Sequence, residues 1–186
     1  MLFAISKRFV SMYPGPISRI YFLNFGINLV LSGMFITYSK QLKPMKISKQ
    51  SENEFFGRFE ENEELVAKLT EFLEQNNIHS GVFSIIGSVK ASRIAFFDQK
   101  EKKYLEMPMD EPAELLHCTG NISLKDGKPF PHCHVVLGAR DGSAYGGHLL
   151  GAKVFVAEVY IKKFDKPVER KFDESTGLEL IEPKED

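Results

Sequence analysis

Only one stretch of this chain repeats its apolar residues at helical spacing: Leu65, Val66, Leu69, Phe72 and Leu73 fall on a single stripe. After it, short β-rich runs alternate with turn residues at 81–88, 91–98, 103–107, 114–124, 131–138, 144–149 and 153–164, and a similar run precedes it at 54–59. Frequent short strands with tight connections argue against a parallel doubly wound sheet, in which strands alternate with helices. The pattern predicts a mixed α/β domain of the α+β kind, a mostly antiparallel sheet or barrel packed against one main helix. Asn62 stands where a helix N-cap belongs, and Glu63 and Glu64 suit the positive end of the helix dipole. The helix is expected to stop at Asn76-Asn77, and Asp126-Gly127 and Asp141-Gly142 are the clearest hairpin turns.

The chain is long enough for one globular domain with an appendage, at 186 residues, 43% of them hydrophobic and 26% charged. That composition excludes a disordered, collagen-like or multi-pass membrane protein. Residues 1–44 differ in texture from the rest: they carry five basic residues, Lys7, Arg8, Arg19, Lys40 and Lys43, and no acidic one. Within them, residues 20–38 are apolar and uncharged, and 19 residues could just span a bilayer as one helix. No small-x-small cleavage site follows, so a secretory signal fits less well. The competing explanation is a misassigned start, with Met45 opening the true protein. The expected organisation is an N-terminal extension at 1–44, a domain at 45–166, and a charged tail at 167–186 that frays.

Of the 24 Lys and Arg in the chain, removing those five leaves 19 against 25 acidic residues, a net of −6 from Met45 onward. Duplex binding draws most of its affinity from cationic side chains on phosphates, so an acidic body argues against a dedicated, strong DNA binder while leaving room for a local basic patch. Two cysteines, Cys118 and Cys133, are too few for a disulfide scaffold or a thiolate zinc cage. A reducing compartment follows, and the cytosol is the expected location, with membrane anchoring through 20–38 as the alternative. Both thiols are expected to pack as small buried residues.

The informative chemistry lies between Glu114 and Gly151. His132-Cys133-His134 opens a predicted strand, and period-two geometry sends both imidazoles to one face and Cys133 to the other. A third imidazole, His148, follows Gly146-Gly147 at the entrance to the next strand. If the two strands pair, three histidines converge as they do at a zinc site with an open position. A His-x-His pair alone is weak evidence; the glycine-flanked third histidine one hairpin away is what strengthens it. His79 and His117 have no such support and are read as structural. Glu114 opens an apolar strand and could reach a site that the histidines line. The pairs Glu60-Glu61 and Glu63-Glu64 are read as solvated helix-start charges. No Walker loop, dinucleotide fingerprint or Gly-x-Ser-x-Gly elbow is present.

Taken in order, Gly87-Ser88-Val89, Glu114-Leu-Leu-His-Cys-Thr-Gly-Asn-Ile, Asp126-Gly-Lys-Pro-Phe-Pro-His-Cys-His and Gly146-Gly-His-Leu closely resemble the plant-and-prokaryote-conserved (PPC) domain, in its stand-alone prokaryotic form. The resemblance covers about residues 51–163. It implies an α/β fold with a mostly antiparallel sheet and a homotrimer whose subunits meet through that sheet. The prokaryotic form has been labelled a predicted DNA-binding protein, and some members carry a metal ion; His132, His134 and His148 are the positions that would hold one, with zinc the expected ion. Plant relatives pair the domain with AT-hooks built around Arg-Gly-Arg-Pro, and this chain has none.

Two classes of function follow. One is a DNA-associated or regulatory module. The other is a metal-dependent enzyme or small-molecule-binding protein acting at a subunit interface, with Glu114 as general base.

Overall fold

The computed structural model describes residues 22–23, 26–31, 34–38 and 45–183. The chain divides into two units, Met1–Lys43 and Pro44–Asp186. In the first, β1 (Phe22–Leu23), β2 (Gly26–Leu31) and β3 (Met34–Tyr38) form an antiparallel sheet. The stretch long enough to span a bilayer as one helix therefore holds strands where it is described. Its β-branched residues favour extended backbone. Among the described residues no helix is long and apolar enough to cross a membrane. The five basic residues of 1–44 lie outside the described residues.

The second unit runs β4 (Lys46–Gln50), β5 (Glu54–Phe59), α1 (Leu65–Gln75), β6 (Gly81–Asp98), β7 (Lys103–Met109), β8 (Ala113–Lys125), β9 (Lys128–Gly138), β10 (Ala144–Lys163), β11 (Arg170–Asp173) and β12 (Leu178–Ile181). Seven of these strands form one antiparallel sheet in the order β4-β5-β10-β9-β8-β6-β7. An additional β10–β6 pairing closes β6, β8, β9 and β10 into a ring. Two strands carry this closure. β6 and β10 each span what the sequence pattern divides into two strands, because Val89-Lys90 and the run around Gly151 are taken up as register shifts within one ladder. A bulge bends a strand without ending it, which lets a single strand serve two neighbours on the same edge.

Helix α1 lies against β9 and β10. Leu65, Leu69, Phe72 and Leu73 are buried and meet Phe55, Leu137 and Ile161 in one core cluster, and each fully buried leucine contributes about 1.5–3 kcal/mol. Phe55 and Phe72 make an edge-on ring contact at 5.6 Å. Lys68 is buried in the same face and is held by Glu71 at 2.8 Å.

The cap differs from expectation. Glu64, not Asn62, is the N-cap: one carboxylate oxygen accepts from Ala67 N at 2.7 Å and the other from Ala152 N at 2.9 Å. Asn62 takes φ 68 and donates its backbone N–H to Val154 O. Glu64 is therefore no mere solvated charge, since it ties the helix start to the bulged part of β10, where its Oε1 fills the space a Cβ on Gly151 would need. The helix ends at Asn76 as the sequence indicates. Asp126 and Gly127 both adopt positive φ, 52° and 74°, the backbone that a two-residue hairpin turn matching strand twist requires.

The tail also departs from expectation. From residue 170 it forms a hairpin, β11 with β12, pinned by Leu124 N donating to Val168 O and Glu182 N to Glu169 O. Its apolar residues Phe172, Leu178, Leu180 and Ile181 are scattered among charges, so no run of them announces strands. Residues 184–186 lie outside the described residues.

Candidate metal centre

Alternation along β9 puts Cys133 in the core at 2% exposure and turns Phe130, His132 and His134 to the other face. β10 then brings the third ring. Its first residues pair with β9, and His148 stands directly opposite His134. At that same residue β10 takes up β6, with His148 also opposite Ala95. Gly147 makes the switch sterically feasible, because a Cβ there would sit 2.8 Å from Ala95 O.

The three rings converge as the sequence predicts. Their centroids lie 5.0 to 5.6 Å apart, and one ligating atom from each lies within 4.8 Å of the others. Nitrogens sharing one zinc ion at about 2.1 Å sit about 3.4 Å apart, so small side-chain rotations bring them to a common point. His148 Nδ1 is buried without a hydrogen-bond partner. An orphaned imidazole nitrogen costs free energy unless something binds it, and a cation is what a cluster of nitrogen donors accommodates. Burial, then Arg170, His148 and His134, push the His132 pKa down to about 4. Burial, His134 and Arg170 lower that of His148 as well. Both rings are therefore neutral at neutral pH, the protonation state that ligates metal.

Two further residues shape the site. Arg170, from the hairpin, places Nη2 3.2 Å from His132 Nδ1 and 2.7 Å from Asn121 Oδ1, with Nε donating to Ser123 Oγ at 2.7 Å. Tyr104 of β7 packs its ring on His148 at 4.9 Å. Together with Phe130, Phe172 and Leu180 they line a cavity of about 740 Å³ beside the histidines. Neither residue belongs to a motif, and only the three-dimensional closure of hairpin and sheet reveals them.

Glu114 is not brought to the cluster. Its strand register sets it opposite Gly138, four residues along β9 from His134, a separation of about 13 Å. His79 and His117 are exposed and stand outside the cluster. The Cys133 and Cys118 thiols are both free and buried and share a hydrogen bond; that hydrogen bond, with burial, raises the Cys133 pKa, so it stays a packed thiol.

A ring of antiparallel strands with one helix on its core face and three convergent histidines on the other defines a small α+β protein. Residues 46–165 match the model of the Plants and Prokaryotes Conserved (PCC) domain, and the chain belongs to that family. Among solved structures, a metal-containing protein from Archaeoglobus fulgidus is 40% identical, covering 76% of this chain and 100% of its own, with a TM-score of 0.68. A plant- and prokaryote-conserved protein from Pyrococcus horikoshii is 33% identical over 77% of this chain and 98% of its own, with a TM-score of 0.67. A structure described as a putative DNA-binding protein from Bacteroides thetaiotaomicron is 27% identical over 75% of this chain and 98% of its own, with a TM-score of 0.72. No curated protein matches the chain.

Proposed function

We propose that this chain is a homotrimeric regulatory module of the cytosol, acting in association with DNA, in which His132, His134 and His148 hold a divalent ion. The observation that carries the metal site is the convergence of three imidazoles with a buried, unpartnered His148 Nδ1. Three neutral nitrogen donors without a carboxylate suit zinc better than magnesium or calcium. Bound there, zinc would act as a structural anchor or as a Lewis acid with one position left for a ligand.

Trimer formation is supported by apolar side chains on the outer sheet surface. Ile86, Leu116 and Phe155 are each more than half exposed, and closed symmetry would bury them. The DNA role is supported by the description of the Bacteroides relative and is limited by the −6 charge of residues 45–186.

Metal analysis of the purified protein, alongside a His132→Ala, His134→Ala double variant, tests the site. One ion per chain, lost in the variant while sedimentation still reports a trimer, is the expected result; a metal-free protein that takes up no zinc on titration overturns it. Gel shifts at low salt test the DNA role, and no shift there removes it. The second reading, a small-molecule-binding protein or enzyme, is favoured by the cavity beside the histidines. In that case Tyr104 and Arg170 are among the polar groups at hand, and Glu114 is not.

A further inference from the structure

A neutral imidazole has one N–H and one lone pair, and a guanidinium has donors only. Nδ1 of His132 faces Arg170 Nη2, so Nδ1 accepts and Nε2 carries the hydrogen. The same ring cannot give its single lone pair to Arg170 and to a metal ion. Metal on His132 therefore ends the Arg170 contact, whichever nitrogen it uses. The guanidinium does not leave with it, because Ser123 Oγ, Asn121 Oδ1 and Glu179 O still hold it at 2.7, 2.7 and 2.8 Å. Of its five N–H groups, one on Nη2 is then released, and one on Nη1 has no partner among the described residues.

Charge points the same way. Arg170 and Lys125 both line the cavity, and the only carboxylate among its lining residues, Glu179, is paired with Lys125 at 3.4 Å. A divalent ion among neutral histidines leaves this half-enclosed space strongly positive. Gln99 apart, the remaining wall is mostly apolar, and its Phe172 is 64% exposed.

Resting on the metal-binding reading, we infer that the cavity binds a small organic carboxylate with a flat apolar body. The carboxylate would accept the freed N–H groups of Arg170 as a bidentate partner, beside the ion that His132, His134 and His148 would hold. The body lies among Tyr104, Phe130 and Phe172. Arg170 thus has two states: it covers the His132 lone pair when the site is empty of metal and clamps the anion when it is filled.

Cobalt(II) in place of zinc makes this visible, because its absorption bands change when a fourth ligand enters. The full chain, loaded with cobalt, is titrated with benzoate and separately with inorganic phosphate. A saturable spectral change with benzoate is expected, tighter than with phosphate, and Arg170→Gln weakens benzoate at least about tenfold. That variant also binds cobalt as tightly as wild type or more so without anion, since it removes a competitor for His132; a purely structural Arg170 would instead weaken the metal. Phe172→Ala weakens benzoate and leaves phosphate unchanged, which keeps the test intact should Arg170→Gln disturb the hairpin. No spectral response to benzoate, or equal benzoate affinity in wild type and both variants, overturns the inference while leaving the metal site standing. Failure of wild type to bind cobalt refutes the metal site itself.

Discussion

Replacing His148 with Phe separates the cost of the site from its use. In the metal-free protein His148 Nδ1 is buried without a partner, a defect worth about 1–3 kcal/mol. Phe keeps the ring contact with Tyr104, now 4.9 Å between centroids, and removes the orphaned nitrogen. Part of the gain is offset by the larger ring, since added volume in a packed setting costs about 1 kcal/mol. His148→Phe should therefore be about 1 kcal/mol more stable than wild type in urea unfolding with a chelator present. With free zinc at about 100 times its Kd, wild type gains about 2.7 kcal/mol and the variant nothing, so the order of stabilities reverses. A variant less stable than wild type in chelator would mean that Nδ1 serves the apo fold. Equal stabilisation of both proteins by zinc would remove His148 from the ligand set.

Three other outcomes follow from the geometry. Burial and Arg170 hold the His132 pKa near 4, below the ordinary 6.5, so the unfolded chain takes up the proton first and apo stability falls as pH drops through that window; allowing for the ring's partial exposure, the loss at pH 5 is about 1 kcal/mol, and His132→Gln should narrow the pH 7 to pH 5 difference in urea unfolding by that amount. Gly147→Ala, whose new methyl would lie 2.8 Å from Ala95 O, should cost about 2 kcal/mol and weaken zinc at least tenfold in chelator competition, an unchanged affinity counting against the strand-switch account. Glu64→Ala should cost about 2–3 kcal/mol in denaturation, combining a lost N-cap with an unpaired Ala152 N–H, and Glu64→Gln should recover about half.

Much of this arrangement was legible in residue order because the relevant rules are local. Period two separates Cys133 from His132 and His134 whatever the fold, and Asp126-Gly127 permits the φ > 0 pair that makes β8 and β9 neighbours. The helix stripe marks the face that meets the core. Long-range competition hid the rest. Asn62 is the better N-cap by intrinsic preference, yet Glu64 wins because its second oxygen reaches Ala152, 88 residues away. The bends of β6 and β10 read as chain breaks, since a bulge and a turn use the same small and polar residues. Arg170 sat in a segment whose charge density suggests fraying, and nothing local shows that three acceptors from β8 and β12 await its guanidinium.

The position of the site follows from the closure of the sheet. β10 must leave β9 and join β6 for the ring to close, and His148 is the one residue of β10 paired to both. A side chain at such a junction is fixed by two ladders at once, so its ring direction is set with little freedom for local drift. His132 and His134 gain the same rigidity from β8, which pairs with β9 along that whole stretch. Side chains held this way are preorganised by backbone hydrogen bonds, so the cost of ordering them for a metal ion would already be met during folding. The hairpin is different: Arg170, the Lys125–Glu179 ion pair and a few backbone contacts hold it to the sheet. Function that requires movement is therefore expected at Arg170 and β11–β12, and function that requires fixed geometry at the three histidines.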